Sequence, residues 1–151
     1  MHTTDAIRPL RSDDRAAWEP LWAGYLAFYR ETLAPEVTDA TFRRLCAEED
    51  GMFGLVAVGD GGELVGFVHA IVHPSTWTTA SYTYLEDLYV APAGRGGDVG
   101  GALIEATAEA ARARGSSRVY WQTQEYNGRA RSLYDHVGQL TSFIVYERPL
   151  S

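Results

Sequence analysis

The stretch richest in chemical possibility is Ala91-Pro92-Ala93-Gly94-Arg95-Gly96-Gly97-Asp98, a glycine-dense turn between an apolar run ending at Val90 and an amphipathic run starting at Val99. A strand feeding such a turn, and the turn a helix, leaves backbone N–H groups at the positive end of the helix dipole, where an anion such as phosphate is held. Just upstream, Glu86 and Asp87 set two carboxylates side by side. Neighbouring side chains in a strand face opposite ways, so at most one of the pair lines a given site. Glu86 shares a face with Tyr84 and Leu88, Asp87 with Leu85 and Tyr89. The bland alternatives are an ordinary turn for the glycines and a solvated or Arg-paired carboxylate for each acid.

Other reactive side chains offer less. His69 and His73 lie four apart on one strand face, but no third ligand stands at a telling spacing. A satisfied strand-end histidine is favoured over a metal ligand. His136, near a helix end, suits the last carbonyls of that helix. Ser75, Ser81 and Ser132 carry no nucleophile signature. Cys46, the only cysteine, sits with Phe42 and Leu45 as a small buried hydrophobe, and no intrachain disulfide is possible.

Several elements must position these residues. Ala6 to Leu10 reads as a strand, and Ser12 as an N-cap with Asp13 and Asp14 in the first turn. Trp18, Leu21, Trp22, Tyr25, Leu26 and Tyr29 recur at helical spacing, with Pro20 expected to kink or split that helix. These aromatics, with Phe28, are mostly core, and some of them, with Trp77 and Tyr82, are candidates for the wall of a binding groove. Thr38 to Glu48 gives a second helix, ended by Gly51. Met52–Val58 and Leu64–Val72 flank Gly59-Asp60-Gly61-Gly62 as a hairpin, and Pro74 closes the second strand. Ser81 to Val90 is a third strand, Val99 to Arg114 a long helix stopped by Gly115. Arg118–Gln124 reads as a strand, Asn127–Val137 as a helix and Ser142–Arg148 as a final strand. The crossover over the long helix brings its two flanking strands parallel. The fold class is α+β, a mixed and mostly antiparallel sheet flanked by helices, in a single domain spanning 1–151.

Bulk properties narrow the partners. The 151 residues are 46% hydrophobic and 22% charged, the composition of a globular domain. A net charge of -7 repels a phosphate backbone, which argues against nucleic acid, and mildly attracts cations such as amines. All the Lys-plus-Arg total of 13 is Arg, to which no function attaches. The N-terminus lacks a signal-peptide core, and no apolar run approaches the ~20 residues of a membrane span. The expectation is a cytoplasmic protein without membrane contact.

Leu85-Glu86-Asp87-Leu88-Tyr89-Val90 followed by Arg95-Gly96-Gly97-Asp98-Val99-Gly100-Gly101-Ala102-Leu103-Ile104 resembles the acyl-CoA motif of the GNAT superfamily of N-acetyltransferases. Asn127, Ala130, Leu133 and Tyr134 are similar to its second motif, and the order of elements agrees over nearly the whole chain. Val119 to Asn127 and Phe143-Ile144-Val145-Tyr146 look like the fungal histone and polyamine acetyltransferase group.

The resemblance implies a fold with a strand–pyrophosphate loop–helix site and acetyl-CoA as cosubstrate, with no metal. Backbone groups of Leu88, Tyr89 and Val90 would meet the pantetheine arm, one amide polarising the thioester carbonyl. Arg95, Gly96, Gly97, Asp98, Val99, Gly100 and Gly101 would cradle the pyrophosphate. Asn127 and Ala130 would lie by the arm. Tyr134 would protonate the departing thiolate. Glu86 or Asp87, with Glu86 preferred, would take the acceptor's proton, directly or through water. The acceptor would be a small amine, amino acid, polyamine or protein lysine. A homodimer through the C-terminal strand, Phe143 to Pro149, is also implied. One position departs from the pattern: Asp98 stands where the motif has its first glycine, adding a Cβ and a negative charge beside the phosphates. A degenerate binding or assembly module with weakened CoA affinity is therefore the alternative.

Overall fold

The computed structural model describes residues 6–124 and 127–150. Its elements run β1 (Ile7–Pro9), α1 (Arg15–Phe28), α2 (Pro35–Ala47), β2 (Met52–Val58), β3 (Leu64–Ser75), β4 (Thr78–Val90), α3 (Val99–Ala113), β5 (Ser116–Tyr120) and α4 (Gly128–Val137). The strands form one five-stranded sheet in chain order. The first four pair antiparallel, and β4 and β5 pair parallel across the α3 crossover. That is the mixed, mostly antiparallel α+β sheet expected.

Alternation along the strands divides the core in two. Phe53, Leu55 and Ala57 of β2 and Val68 and Ala70 of β3 pack with Val99, Leu103 and Ile104 of α3. Val56 and Phe67 face the other way, against Trp18, Leu21 and Trp22 of α1 and Phe42 and Leu45 of α2. The period-2 strands and period-3.6 helices thus bury matching apolar stripes on both faces of the sheet. Gly66 allows β3 and β4 to close up, because a Cβ there would stand 2.9 Å from the Tyr89 carbonyl oxygen.

Several boundaries differ from the expectation. Pro20 lies inside an unbroken α1. The carbonyl it leaves without an N–H partner belongs to Ala16, which is exposed and near the helix start, where water serves as well. Asp14, rather than Ser12, opens α1. Its carboxylate accepts the Arg11 N–H at 2.7 Å and two bonds from the Arg8 guanidinium at 2.9 Å, and that guanidinium holds its carboxyl below the usual range. Strand β3 runs past Pro74 to Ser75, beyond the point where β2 ends opposite Ile71. Pro74 therefore sits where β3 has a single neighbour, the position in which a strand tolerates proline. Strand β5 stops at Tyr120. Ser142–Arg148 is not a strand: Phe143, Ile144, Val145 and Tyr146 are strand-forming residues, but they are 65–90% exposed and do not join the sheet.

Candidate active site

The site is built where β4 and β5 part. Their parallel pairing runs from Ser81↔Ser116 to Tyr84↔Tyr120 and goes no further. Among the described residues, no strand pairs with Leu85–Val90 on that side, so β4 presents backbone donors and acceptors there that no strand uses, the Val90 carbonyl alone being taken by the Arg95 side chain. Trp121 and Gln122, just past β5, and Tyr134 of α4 form the facing wall of a cleft whose floor is Leu85, Glu86 and Leu88. Trp121 and Tyr134 stand edge to face at 5.5 Å between ring centroids. Gly100 lets α4 approach α3, since a Cβ there would sit 3.3 Å from Leu133.

A bulge in β4 sets the two acids. His69 pairs with Asp87, but Ala70 pairs with Leu85, leaving Glu86 as the extra residue. The alternation read from sequence is therefore broken: Leu85 and Leu88 both join the α3 side of the core, while Asp87 bonds Tyr25 on the α1 side. Glu86 projects between two clefts. One is the β4–β5 cleft; the other, of about 280 Å³, lies beside α1 and α2, with Trp22, Arg44, Met52, Ile71, His69 and Asp87 among its walls. Glu86 stays open to solvent at their junction, yet the groups crowding it, and secondarily the Asp87 charge, push its carboxyl above the ordinary range. Asp87 is engaged at both oxygens, by Tyr25 at 2.7 Å and His69 at 2.9 Å. The two acids are thus not equivalent as bases.

Tyr134 is half-buried, and desolvation, with a smaller contribution from Tyr29, raises its phenol, so it stays protonated and able to donate. Asn127 caps α4, its Oδ1 accepting the Ala130 N–H at 3.3 Å; that amide is thereby occupied and the Asn127 NH₂ is left for other contacts.

The glycine loop makes a short turn over Pro92–Gly94, and Arg95 to Asp98 is exposed ahead of α3. Arg95 turns back on the strand, its Nε bonding the Val90 carbonyl at 2.9 Å and its guanidinium lying over the Tyr89 ring. Tyr89 packs among Tyr25 and Phe67, away from the cleft, so only its backbone is offered to a ligand. Val99 is buried and likewise has only its backbone to give. Asp98 precedes α3 without a side-chain capping bond; its carboxylate folds over Gly101, where a Cβ would collide with it.

The remaining candidates take structural places. His73 bonds the Pro74 carbonyl at 2.7 Å and the Tyr120 hydroxyl at 2.8 Å, and His136 bonds the Ser132 carbonyl at 3.1 Å. His69 is in the middle of β3, not at its end, and fully enclosed. No cluster of three or more His, Cys, Asp or Glu suited to a metal occurs among the described residues. Burial pushes the Cys46 thiol up, the wrong direction for a nucleophile. Trp22, Tyr25 and Tyr29 do line clefts, whereas Trp77 is 77% exposed.

The profile of the acetyltransferase (GNAT) family matches residues 16–138. The chain belongs to the GNAT acetyltransferase family. As such it is an N-acetyltransferase, and GNAT enzymes use acetyl-CoA as cosubstrate. It is 34% identical to the D-amino-acid N-acetyltransferase HPA3 of Saccharomyces cerevisiae over 94% of this chain and 89% of that one. It is 26% identical to the aminoglycoside N(6')-acetyltransferase type 1 of Klebsiella aerogenes over 99% of this chain and 100% of that one. The ribosomal-protein-alanine N-acetyltransferase of Brucella melitensis superposes with a TM-score of 0.81 at 25% identity, covering 96% and 99% of the two chains. A probable acetyltransferase superposes at 0.85, with 23% identity and coverage of 97% and 98%, and shares the GNAT fold.

Proposed function

We propose that the protein acetylates a small primary amine by direct attack on acetyl-CoA in a ternary complex, with Glu86 as base and Tyr134 as acid. The observation that carries this reading is Glu86 itself, one carboxylate shared by two clefts. The β4–β5 cleft suits the cosubstrate. Its strand edge from Leu88 to the Val90 N–H matches the amides of an extended pantetheine arm, and the exposed backbone from Arg95 to Asp98, leading into the N-terminus of α3, suits the pyrophosphate. The second cleft, where Glu86 and Asp87 stand together across from Arg44, suits an ammonium at its acidic side.

In this scheme Glu86 removes a proton from the acceptor, directly or through a water. The amine nitrogen attacks the thioester carbonyl carbon, a β4 backbone N–H holding the developing oxyanion. The C–N bond forms as the C–S bond breaks, the sulfur takes the Tyr134 proton, and the second proton shed by the acylated nitrogen restores the phenol through solvent while Glu86 releases the first. Overall, an ammonium ion and a thioester become an amide, a thiol and one proton released to solvent.

Amino-acid-sized acceptors come first. A cleft of about 280 Å³ with apolar walls at Met52 and Ile71 fits them, and the relative matched over 94% of this chain is named for D-amino acids rather than for histones or polyamines. The test is thiol release from acetyl-CoA against a panel of amino acids, polyamines and lysine peptides, with the acetylated product identified by mass spectrometry. Turnover with amino acids above the rest is expected; turnover confined to peptides would contradict it.

Asp98 sets the affinity for acetyl-CoA rather than abolishing it. Like charges ~4 Å apart cost about 1 kcal/mol in water, so Asp98→Gly is expected to tighten acetyl-CoA binding about fivefold by calorimetry. Unchanged affinity would place the carboxylate away from the phosphates.

The exposed Phe143–Tyr146 segment supports a homodimer, because β5 ends the sheet with an open outer edge on which a second copy's segment finds strand partners. Light scattering should give twice the chain mass for the unmodified protein and a monomer for Phe143→Asp/Val145→Asp. A monomeric unmodified protein would contradict this.

A further inference from the structure

His69 is a buried polar side chain that the transfer chemistry leaves unused. It is 4% exposed, stacked on Phe67 at 4.3 Å between ring centroids, with the Trp22 and Trp18 rings at 5.3 and 5.9 Å. Both ring nitrogens are engaged. Trp18 Nε1–H donates to His69 Nε2 at 3.1 Å, and an indole N–H has no acceptor role. Nε2 is therefore the bare nitrogen, and the ring proton rides on Nδ1. That proton is donated to Asp87 Oδ2 at 2.9 Å. The Tyr25 hydroxyl donates to the other oxygen, Oδ1, at 2.7 Å. Burial first, and the Asp87 charge second, hold the Tyr25 phenol firmly in its protonated, donating form.

We propose that Trp18, His69 and Tyr25 form a positioning relay that presents Asp87 to the second cleft as an oriented carboxylate, where it anchors the acceptor's ammonium while Glu86 takes the proton. This rests on the amine-acetylation reading of that cleft. The bulge is what separates the two roles, since it returns Asp87 to the α1 side and leaves Glu86 at the junction of the clefts. A carboxylate has about four lone-pair positions, so two relay bonds leave others for a substrate N–H. The Asp87 side chain is 14% exposed, enough for contact along one edge. A carboxylate held at both oxygens keeps its direction without reorganising when the cation arrives, which is the advantage of a preorganised site. The groups facing the two acids are Tyr25 from α1, Tyr29 just past its end, Arg44 from α2, His69 from β3, Tyr84 from β4 and Tyr134 from α4.

The test compares His69→Leu, which removes the donor, with His69→Asn, whose amide N–H₂ falls near the place of Nδ1 and still donates. Amine KM is expected to rise about tenfold or more in His69→Leu, the scale of a lost charge-assisted hydrogen bond, well beyond any fall in kcat. His69→Asn should recover most of it, and the KM for acetyl-CoA should hold in both. Asp87→Asn should move the acid limb of kcat/KM to lower pH, because the charge that raises Glu86 is gone. Histidine ¹⁵N NMR of the unmodified protein should place the His69 proton on Nδ1. A proton on Nε2 overturns the relay. So does a folded His69→Leu with an unchanged amine KM, or equal losses in the Leu and Asn variants. If the unmodified protein acetylates no amine, the acetylation reading fails with its anchor, and NMR alone decides the relay geometry.

Discussion

Tyr134→Phe is expected to lower kcat by about 10²- to 10⁴-fold, the usual worth of a general acid, while the KM for acetyl-CoA changes little. The phenol lies on the α4 wall, facing Trp121 and the open edge of β4, where the departing sulfur of the proposed reaction would be. Burial raises it from its ordinary value, so protonation persists across neutral pH and the alkaline limb of kcat lies high. In the Phe variant the sulfur must leave unprotonated or find water, and that alkaline limb should vanish with the phenol. Substrates whose thiols are better leaving groups should narrow the gap between the two proteins. Steady-state kinetics with acetyl-CoA and an aryl thioester checks this. A loss below about threefold would remove Tyr134 from the chemistry.

Glu86→Gln is expected to cost a similar factor, about 10²- to 10⁴-fold in kcat/KM, and to change the shape of the pH profile. Crowding by neighbouring groups and the adjacent Asp87 raise the Glu86 carboxyl. A base must be ionised to act, so activity rises with pH through that raised value and is lost below it. The acid limb of the unmodified enzyme should therefore lie above the ordinary carboxylate range of about 4.3. With Gln the limb should disappear, leaving a profile governed by the free amine fraction of the acceptor. A limb unchanged in Glu86→Gln would assign it to another group.

The sequence made the outline of this enzyme readable because its signals are local. Glycines from Gly94 to Gly97 between a strand and a helix marked the loop proposed to hold the pyrophosphate, and the spacing of Trp18, Leu21, Trp22 and Tyr25 marked α1. What escaped depends on partners distant in the chain. The bulge at Glu86 carries no glycine or proline; it appears only when the register with β3 is known. Trp18 and His69 are 51 residues apart, and nothing in either neighbourhood announces the bond between them. Phe143-Ile144-Val145-Tyr146 has the propensity of a strand, but propensity alone does not dock a segment on the sheet, and the four side chains stay exposed. The spacing predicts a break at Pro20, because the exposure of the Ala16 carbonyl that Pro20 leaves unpaired follows from packing, not spacing.

The most direct test of the central claim is hydrogen–deuterium exchange of the unmodified protein with and without acetyl-CoA. The account predicts slowed exchange confined to Leu85–Val90 and to the loop from Arg95 to Gly101, as the cosubstrate completes the β4 edge and covers the α3 N-terminus. Exchange unchanged in both segments at saturating acetyl-CoA, or slowed only elsewhere, would contradict it.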